Sequence, residues 1–243
     1  MQRLTAVFAH PDDETFATGG TIARYTSEGA HCSLYCATDG DAGRSSDIPV
    51  SSPAELGALR RAELRAACDV LGIRTLVSGG HPDGGLQDVA PDRVMGEIVA
   101  LLRRERPEVV ITFGPEGAPT RHRDHRAISR LATAAFLLAG TSTAFPEQLA
   151  DGLAPHRPQE LWYSTWQTPA PGDEPSTEGQ PIDLTLDVTE WLPVKRAAFE
   201  AHRTQHVHRA SFERLAMREQ EHYFVALRST GQERQERKLP DRS

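Results

Sequence analysis

The sequence predicts an α/β chain, with a Rossmann-like, doubly wound, mostly parallel sheet carrying helices on both faces. Three observations predict it. Short apolar runs alternate with amphipathic segments from about residue 3 to residue 140. The apolar runs are nearly continuous rather than alternating, as strands covered on both faces must be. The polar, glycine-rich loops follow the strands, so right-handed crossovers gather them at one edge of the sheet, where such folds bind ligands.

The elements follow in order. Residues 5–9 are an apolar run ending in a polar turn, a buried strand. Residues 14–28 read as a helix closed by Gly29. Residues 31–38 are a second strand; Cys32 and Cys36 sit four apart and so share a face. Residues 39–53 are a Gly/Asp/Ser-rich loop. Residues 55–71 are an amphipathic helix, with Leu56, Leu59, Leu64, Ala67 and Leu71 on one face and Gly72 as its C-cap. Residues 74–78 are a third strand, 79–85 a glycine-rich loop, 93–105 a helix stopped by Pro107, 109–113 a fourth strand and 124–139 a helix. Beyond residue 140 the pattern is less regular. Residues 160–164 read as a strand and 168–180, rich in Pro, Gly and acid, as a surface loop. Leu184, Leu186 and Val188 alternate with polar residues, as in an edge strand. Residues 193–206 and 211–221 read as helices and 222–227 as a final strand. No repeat is visible. Residues 1–228 are read as one domain and the charged segment 229–243 as a disordered tail.

Composition bounds the function classes. Apolar residues make up 38% and charged residues 25%, enough for a sizeable core. A net charge of −7 argues against a nucleic-acid scaffold. No run approaches the ~20 apolar residues of a membrane span, and the apolar start at 4–9 stops at His10 without the pattern of a signal peptide. Three cysteines, Cys32, Cys36 and Cys68, are too few for a disulfide scaffold and read as buried small hydrophobes in a reducing cytoplasm. A G-x-G-x-x-G after a strand and a G-x-S-x-G are both absent, which disfavours a dinucleotide site and a serine hydrolase.

Two clusters carry chemistry. His10-Pro11-Asp12-Asp13-Glu14 follows the first strand, and His122-Arg123-Asp124-His125 follows the fourth at a helix start. Zinc accepts imidazole and carboxylate ligands, and a catalytic site keeps one position for water, so three protein ligands suffice. His10, Asp13 and His125 supply them: two from a turn stiffened by Pro11, one from a distant loop. Asp12 is then left beside the metal as a general base. His122, one helical turn before His125, is placed to stabilise an oxyanion as a protonated imidazole or to protonate a leaving amine. Asp124 is placed to hydrogen-bond a histidine ring nitrogen. Taken singly, each cluster also reads as a capped, solvated helix start. A His₂Asp set accepts several divalent ions besides zinc.

Ala-His-Pro-Asp-Asp-Glu at 9–14, with His-x-Asp-His at 122–125, resembles the LmbE-like, or PIG-L-like, family of zinc deacetylases. The likeness covers residues 3–140 and extends more weakly to Lys195, Ala198, His202 and Gln205, spaced as in the family's C-terminal helix. It implies an LmbE-like fold, zinc on His10, Asp13 and His125, Asp12 as base and His122 at the oxyanion. It also implies a small-molecule amide substrate, an N-acylated amino sugar conjugate, with no nucleic acid or membrane partner; a homo-oligomer stays open. Two positions depart from the family. Arg123 replaces a proline, and Thr120 stands where mycothiol-type members place a tyrosine acid catalyst.

The family binds sugar hydroxyls through an arginine near the second loop and an aspartate after the third strand. Arg60, Arg44 and Asp83 occupy those regions; surface arginines and a turn aspartate are the plainer readings. Glu14 either orients a ligand or favours a helix N-terminus. His202, His206 and His208 read as a solvated helix and loop, and Trp162 and Trp166 as core or rim packing. Two further readings remain: a hydrolase for another amide, such as a thiol conjugate, and a catalytically silent sugar-binding protein that keeps its metal.

Overall fold

The computed structural model describes residues 2–45, 48–166 and 179–229. Most of the loop expected at 168–180 and nearly all of the tail from 229 lie outside them. Among the described residues, seven strands form one sheet: β1 (Arg3–Phe8), β2 (His31–Thr38), β3 (Thr75–His81), β4 (Val109–Phe113), β5 (Glu160–Thr165), β6 (Leu184–Asp187) and β7 (Gln220–Arg228). Their order is β3-β2-β1-β4-β5-β7-β6. The first five are parallel; β7 runs antiparallel to β5, and β6 antiparallel to β7.

The α-helices of five residues or more among the described residues are α1 (Asp13–Ser27), α2 (Pro53–Leu71), α3 (Pro91–Glu105), α4 (Arg123–Leu138), α5 (Pro146–Ala150) and α6 (Leu192–Ala201). Several start one or two residues before the apolar period does. The reason is local chemistry at the N-terminus. Pro53 and Pro91 enter with φ already helical and no N–H to satisfy. Ser52 accepts the Glu55 amide at 3.2 Å, and the His122 ring accepts the Asp124 amide at 3.2 Å.

β1 is buried from Leu4 onward, and β2 from Cys32. Cys32, Cys36 and Cys68 are free and buried. Trp162 lies in the core. Helix α1 carries Gly19 and Gly20 where other elements come close. A Cβ on Gly19 would stand 2.9 Å from Lys195 Cγ, and one on Gly20 would stand 2.7 Å from Val188 Cβ. Small residues there let α6 and Val188, just past β6, lie directly on α1.

Three expectations are corrected. Residues 79–81, expected in a loop, continue β3: Thr38 pairs with His81 across a bulge. Residues 211–221 do not form a regular helix. A π-helical turn, Phe212–Ala216, swings Phe212 under Phe199, their rings stacked 4.1 Å apart, and β7 begins at Gln220. Burial of one aromatic outweighs continued α-helical winding there. Residues 193–206 split into α6 and a 3₁₀ stretch, Arg203–His208.

The strand order decides where a site can form. From β1 the chain winds outward through β2 to β3, whereas β4 lies on the other side of β1 and leads on to β5. The loops after β1 and β4 therefore part in opposite directions at the switch point, leaving a crevice beyond their carboxyl ends.

Candidate active site

Both sequence clusters meet at that crevice. The β1 loop supplies His10 to Asp13, the β3 loop supplies Asp83, and the start of α4 supplies His122 to His125. Asp13 lies between two rings: Oδ2 is 3.3 Å from His10 Nδ1 and Oδ1 is 3.2 Å from His125 Nε2. Asp13 Oδ2 also accepts the His10 amide at 2.8 Å. On its other edge, His10 Nε2 faces Asp83 Oδ1 at 3.1 Å and Asp124 Oδ2 at 3.3 Å. The rings of His10 and His122 are 4.8 Å apart, and those of His10 and His125 5.2 Å apart. Among the described residues, two sets have ligand atoms close enough for one metal ion: His10, His122 and His125, and His10, Asp83 and Asp124; Asp13, which lies between His10 and His125, belongs to neither set.

Each group is held from behind. Asp124 is fully buried and accepts the Gly84 amide at 2.6 Å and the Leu86 amide at 3.1 Å. Its histidine partner is therefore His10 rather than His122. Thr120 Oγ1 lies 3.3 Å from His125 Nδ1, and Phe113 stacks on that ring with centroids 4.0 Å apart. Asp83 Oδ2 accepts the Ala42 amide at 3.0 Å.

Asp12 has φ 110° and ψ −25°, the left-handed half of the map that a side chain disfavours. Such a residue costs on the order of 1–3 kcal/mol unless its surroundings hold it. Arg60 is one of the groups that do: Nη2 donates to Pro11 O at 2.5 Å and lies 3.6 Å from Asp12 Oδ1. Its Nη1 donates to Gly40 O at 2.8 Å. A Cβ on Gly40, whose φ is +65°, would collide with that guanidinium. Arg60 is 4% exposed, so it backs Asp12 instead of standing at the mouth. Arg44 is exposed, and its carbonyl accepts Gln205 Nε2 at 2.9 Å. Arg123 is exposed as well, with its guanidinium over Gly84, where a Cβ would meet Nη2 at 3.2 Å.

Charge follows this geometry. Burial works against ionised Asp13, yet His125 and His10 outweigh it and hold the carboxyl well below its ordinary range. Burial works against a charged His10 too, but Asp124, Asp13 and Asp83 raise it well above 6.5. Asp12 is pushed up to about 6 by burial, with Arg60 opposing. Burial, then the His10 and His125 rings, lower His122. Since its Nδ1 accepts the Asp124 amide, a neutral His122 carries its proton on Nε2.

His202, expected on a solvated face, is fully buried, with Nε2 2.7 Å from Glu14 Oε1. Its signal was the Lys195…His202…Gln205 spacing. His206 and His208 do lie nearer the surface.

A doubly wound sheet with buried histidines and carboxylates at its switch point defines an α/β protein able to hold a metal ion. The chain belongs to the PIG-L family, described as GlcNAc-PI de-N-acetylase, whose pattern matches residues 5–136. A relative from Rhodococcus opacus (strain B4), named 1D-myo-inositol 2-acetamido-2-deoxy-alpha-D-glucopyranoside deacetylase, is 33% identical over 84% of this chain and 82% of its own length. Among solved structures, N,N'-diacetylchitobiose deacetylase from Pyrococcus horikoshii superposes with a TM-score of 0.75 at 21% identity, covering 92% of this chain and 83% of that one. The 4-carboxy-2-hydroxymuconate hydratase from Pseudomonas putida KT2440 gives 0.77 at 19% identity, covering 96% and 99%. At these identities both likenesses concern the fold, which evidently hosts more than one chemistry; function has to be argued from the site.

Proposed function

We propose that this chain is a metal-dependent de-N-acetylase, with zinc held by His10, Asp13 and His125, acting on an N-acetylglucosamine conjugate. One observation carries the reading. Asp13 lies between His10 and His125 through its two oxygens, while the adjacent Asp12 is turned away into a strained conformation and backed by Arg60. That leaves one carboxylate for a ligand and one for a base.

The chemistry of the donor set, two imidazoles and one carboxylate, fits a divalent cation. Asp13 and Asp124 are buried, and Asp12 and Asp83 nearly so, with Arg60 as the neighbouring arginine. Buried carboxylates in that excess need further positive charge. Without a metal, the raised proton affinity of His10 supplies it. A bound divalent ion polarises a carbonyl and makes a water more acidic.

The residues then divide the work. Asp12 takes a proton from the attacking water. His122 donates Nε2–H to the oxygen of the tetrahedral intermediate. The C–N bond breaks, the proton held by Asp12 passes to the leaving nitrogen, and acetate and a free amine result. Asp124 and Thr120 fix the orientation of His10 and His125. Asp83, facing His10 from the β3 loop, and the exposed Arg44 are the groups proposed to meet sugar hydroxyls. Arg60 is placed too deep for that contact and sets the base instead. The relative's name makes a sugar–polyol conjugate the first substrate to try. A reducing cytoplasm suits the three free, buried cysteines, and no helix among the described residues is long and apolar enough to cross a membrane.

Metal analysis with an amine-release assay on N-acetylglucosamine conjugates tests the reading. About one metal per chain, with release lost in Asp12→Ala, is the expected result. No metal uptake even when zinc is offered would overturn it.

A further inference from the structure

We infer that Glu14 and His202 form a positioning pair that clamps the strained backbone of Asp12, so that the C-terminal part of the chain sets the geometry of the general base. The inference rests on the reading of Asp12 as that base.

The strain at Asp12 needs an external hold, because its own side chain makes no cap hydrogen bond to α1. The Asp12 amide donates to Glu14 Oε2 at 3.0 Å. Its carbonyl accepts the Thr15 and Phe16 amides, both at 3.0 Å. The other Glu14 oxygen accepts Thr15 Oγ1 at 2.7 Å and meets His202 Nε2 at 2.7 Å. Glu14 and His202 are both 0% exposed. A carboxylate sealed from water needs a charge-assisted partner, and His202 supplies it from 188 residues away in the chain.

The ring has a single use. His202 Nδ1 meets no hydrogen-bond partner among the described residues, so the polar contact of this buried imidazole is the one to Glu14. A histidine kept only to fill space would be replaceable by an aromatic ring. Its segment also grips the surroundings. Gln205 Nε2 holds the Arg44 carbonyl at 2.9 Å, and Thr204 Oγ1 holds Glu63 on α2 at 2.6 Å, one turn from Arg60. Lys195 Nζ reaches Glu221 at 2.6 Å, and Glu221 in turn accepts the Gly20 and Thr21 amides of α1 at 2.9 and 2.8 Å. The Lys195…His202…Gln205 spacing thus becomes three braces; the His202 brace ends on Asp12.

The full-length protein separates positioning from packing through three substitutions. His202→Phe fills the space without the donor. His202→Asn is polar but too short to place a donor at Nε2. His202→Gln places an amide N–H there. Expected for Phe and Asn is a loss in kcat of about tenfold or more, with KM within about twofold and metal stoichiometry unchanged. Gln should recover kcat to within about threefold of wild type. A second readout needs no substrate: the Asp12 amide should exchange hydrogen about tenfold faster in Phe and Asn than in wild type or Gln. Equal losses in all three variants, or protection unchanged in Phe and Asn, would overturn the clamp. If the wild type releases no amine from any N-acyl sugar, the deacetylase reading fails while the exchange measurement still decides the clamp.

Discussion

Arg60 Nη2 lies 3.6 Å from Asp12 Oδ1 while donating to the carbonyl of Pro11, the residue before it. The same guanidinium therefore opposes the burial of the Asp12 charge and pins the turn that presents it. Helix α2 reaches the site through this buried side chain.

The first prediction concerns that charge. Burial raises the Asp12 carboxyl to about 6, above its ordinary 3.8, with Arg60 opposing. The folded, metal-free protein thus binds this proton more tightly than the unfolded chain does. The resulting stabilisation is present below 3.8 and is lost as pH rises through about 6. Asp12→Asn should therefore stabilise the metal-free protein at pH 8 by about 1–3 kcal/mol and change little near pH 4. Denaturant melts of chelator-treated protein at the two pH values check it; equal effects at both would refute the assignment.

The base and the ligands should separate cleanly. Asp12→Ala should keep the metal and lose about 10²-fold or more in kcat. Asp13→Ala and His125→Ala should lose the metal itself. Titration calorimetry with zinc, paired with amine release, distinguishes the two classes.

Asp124 offers a subtler test. Its carboxylate receives two backbone amides and faces His10 Nε2. Asp124→Asn replaces one acceptor by a donor at nearly constant volume. Metal affinity should fall about 10–100-fold, as for other partners that orient a ligand, with the melting transition little moved once metal is saturating. Competition against a chelator of known affinity reads this directly.

His122 is the place where sequence and structure suggest different protonation. The sequence pattern suggested an imidazolium; burial and the neighbouring rings lower its proton affinity instead. A neutral Nε2–H donor stays in place as pH rises. The ratio of wild-type to His122→Ala kcat should be near 10² and constant from pH 7 to 9. A ratio that collapses toward one over that range would show that a proton on His122 is consumed.

Much of the fold was legible because its signals are local. Continuous apolar runs marked β1, β2 and β4, and Leu56, Leu64, Ala67 and Leu71 marked the buried face of α2. The adjacency His10-Pro11-Asp12-Asp13 was legible too, since chemistry within one turn needs no knowledge of distant neighbours. The antiparallel placement of β7 was not, because register between strands depends on pairing that composition does not encode. Nor was the π turn at Phe212, whose ring stacks on Phe199, a partner outside its own turn.

By itself, the sequence determined the alternation of strands and helices, the two metal-type clusters and their attachment to strand ends. Tertiary structure decided which groups face one another. It put Arg60 beneath Asp12 rather than at the mouth, turned Asp124 toward His10, and buried His202 on Glu14. The physical reason is common to all three. A side chain's role follows from which charges and donors surround it once water is excluded, and those partners come from parts of the chain tens to hundreds of residues apart.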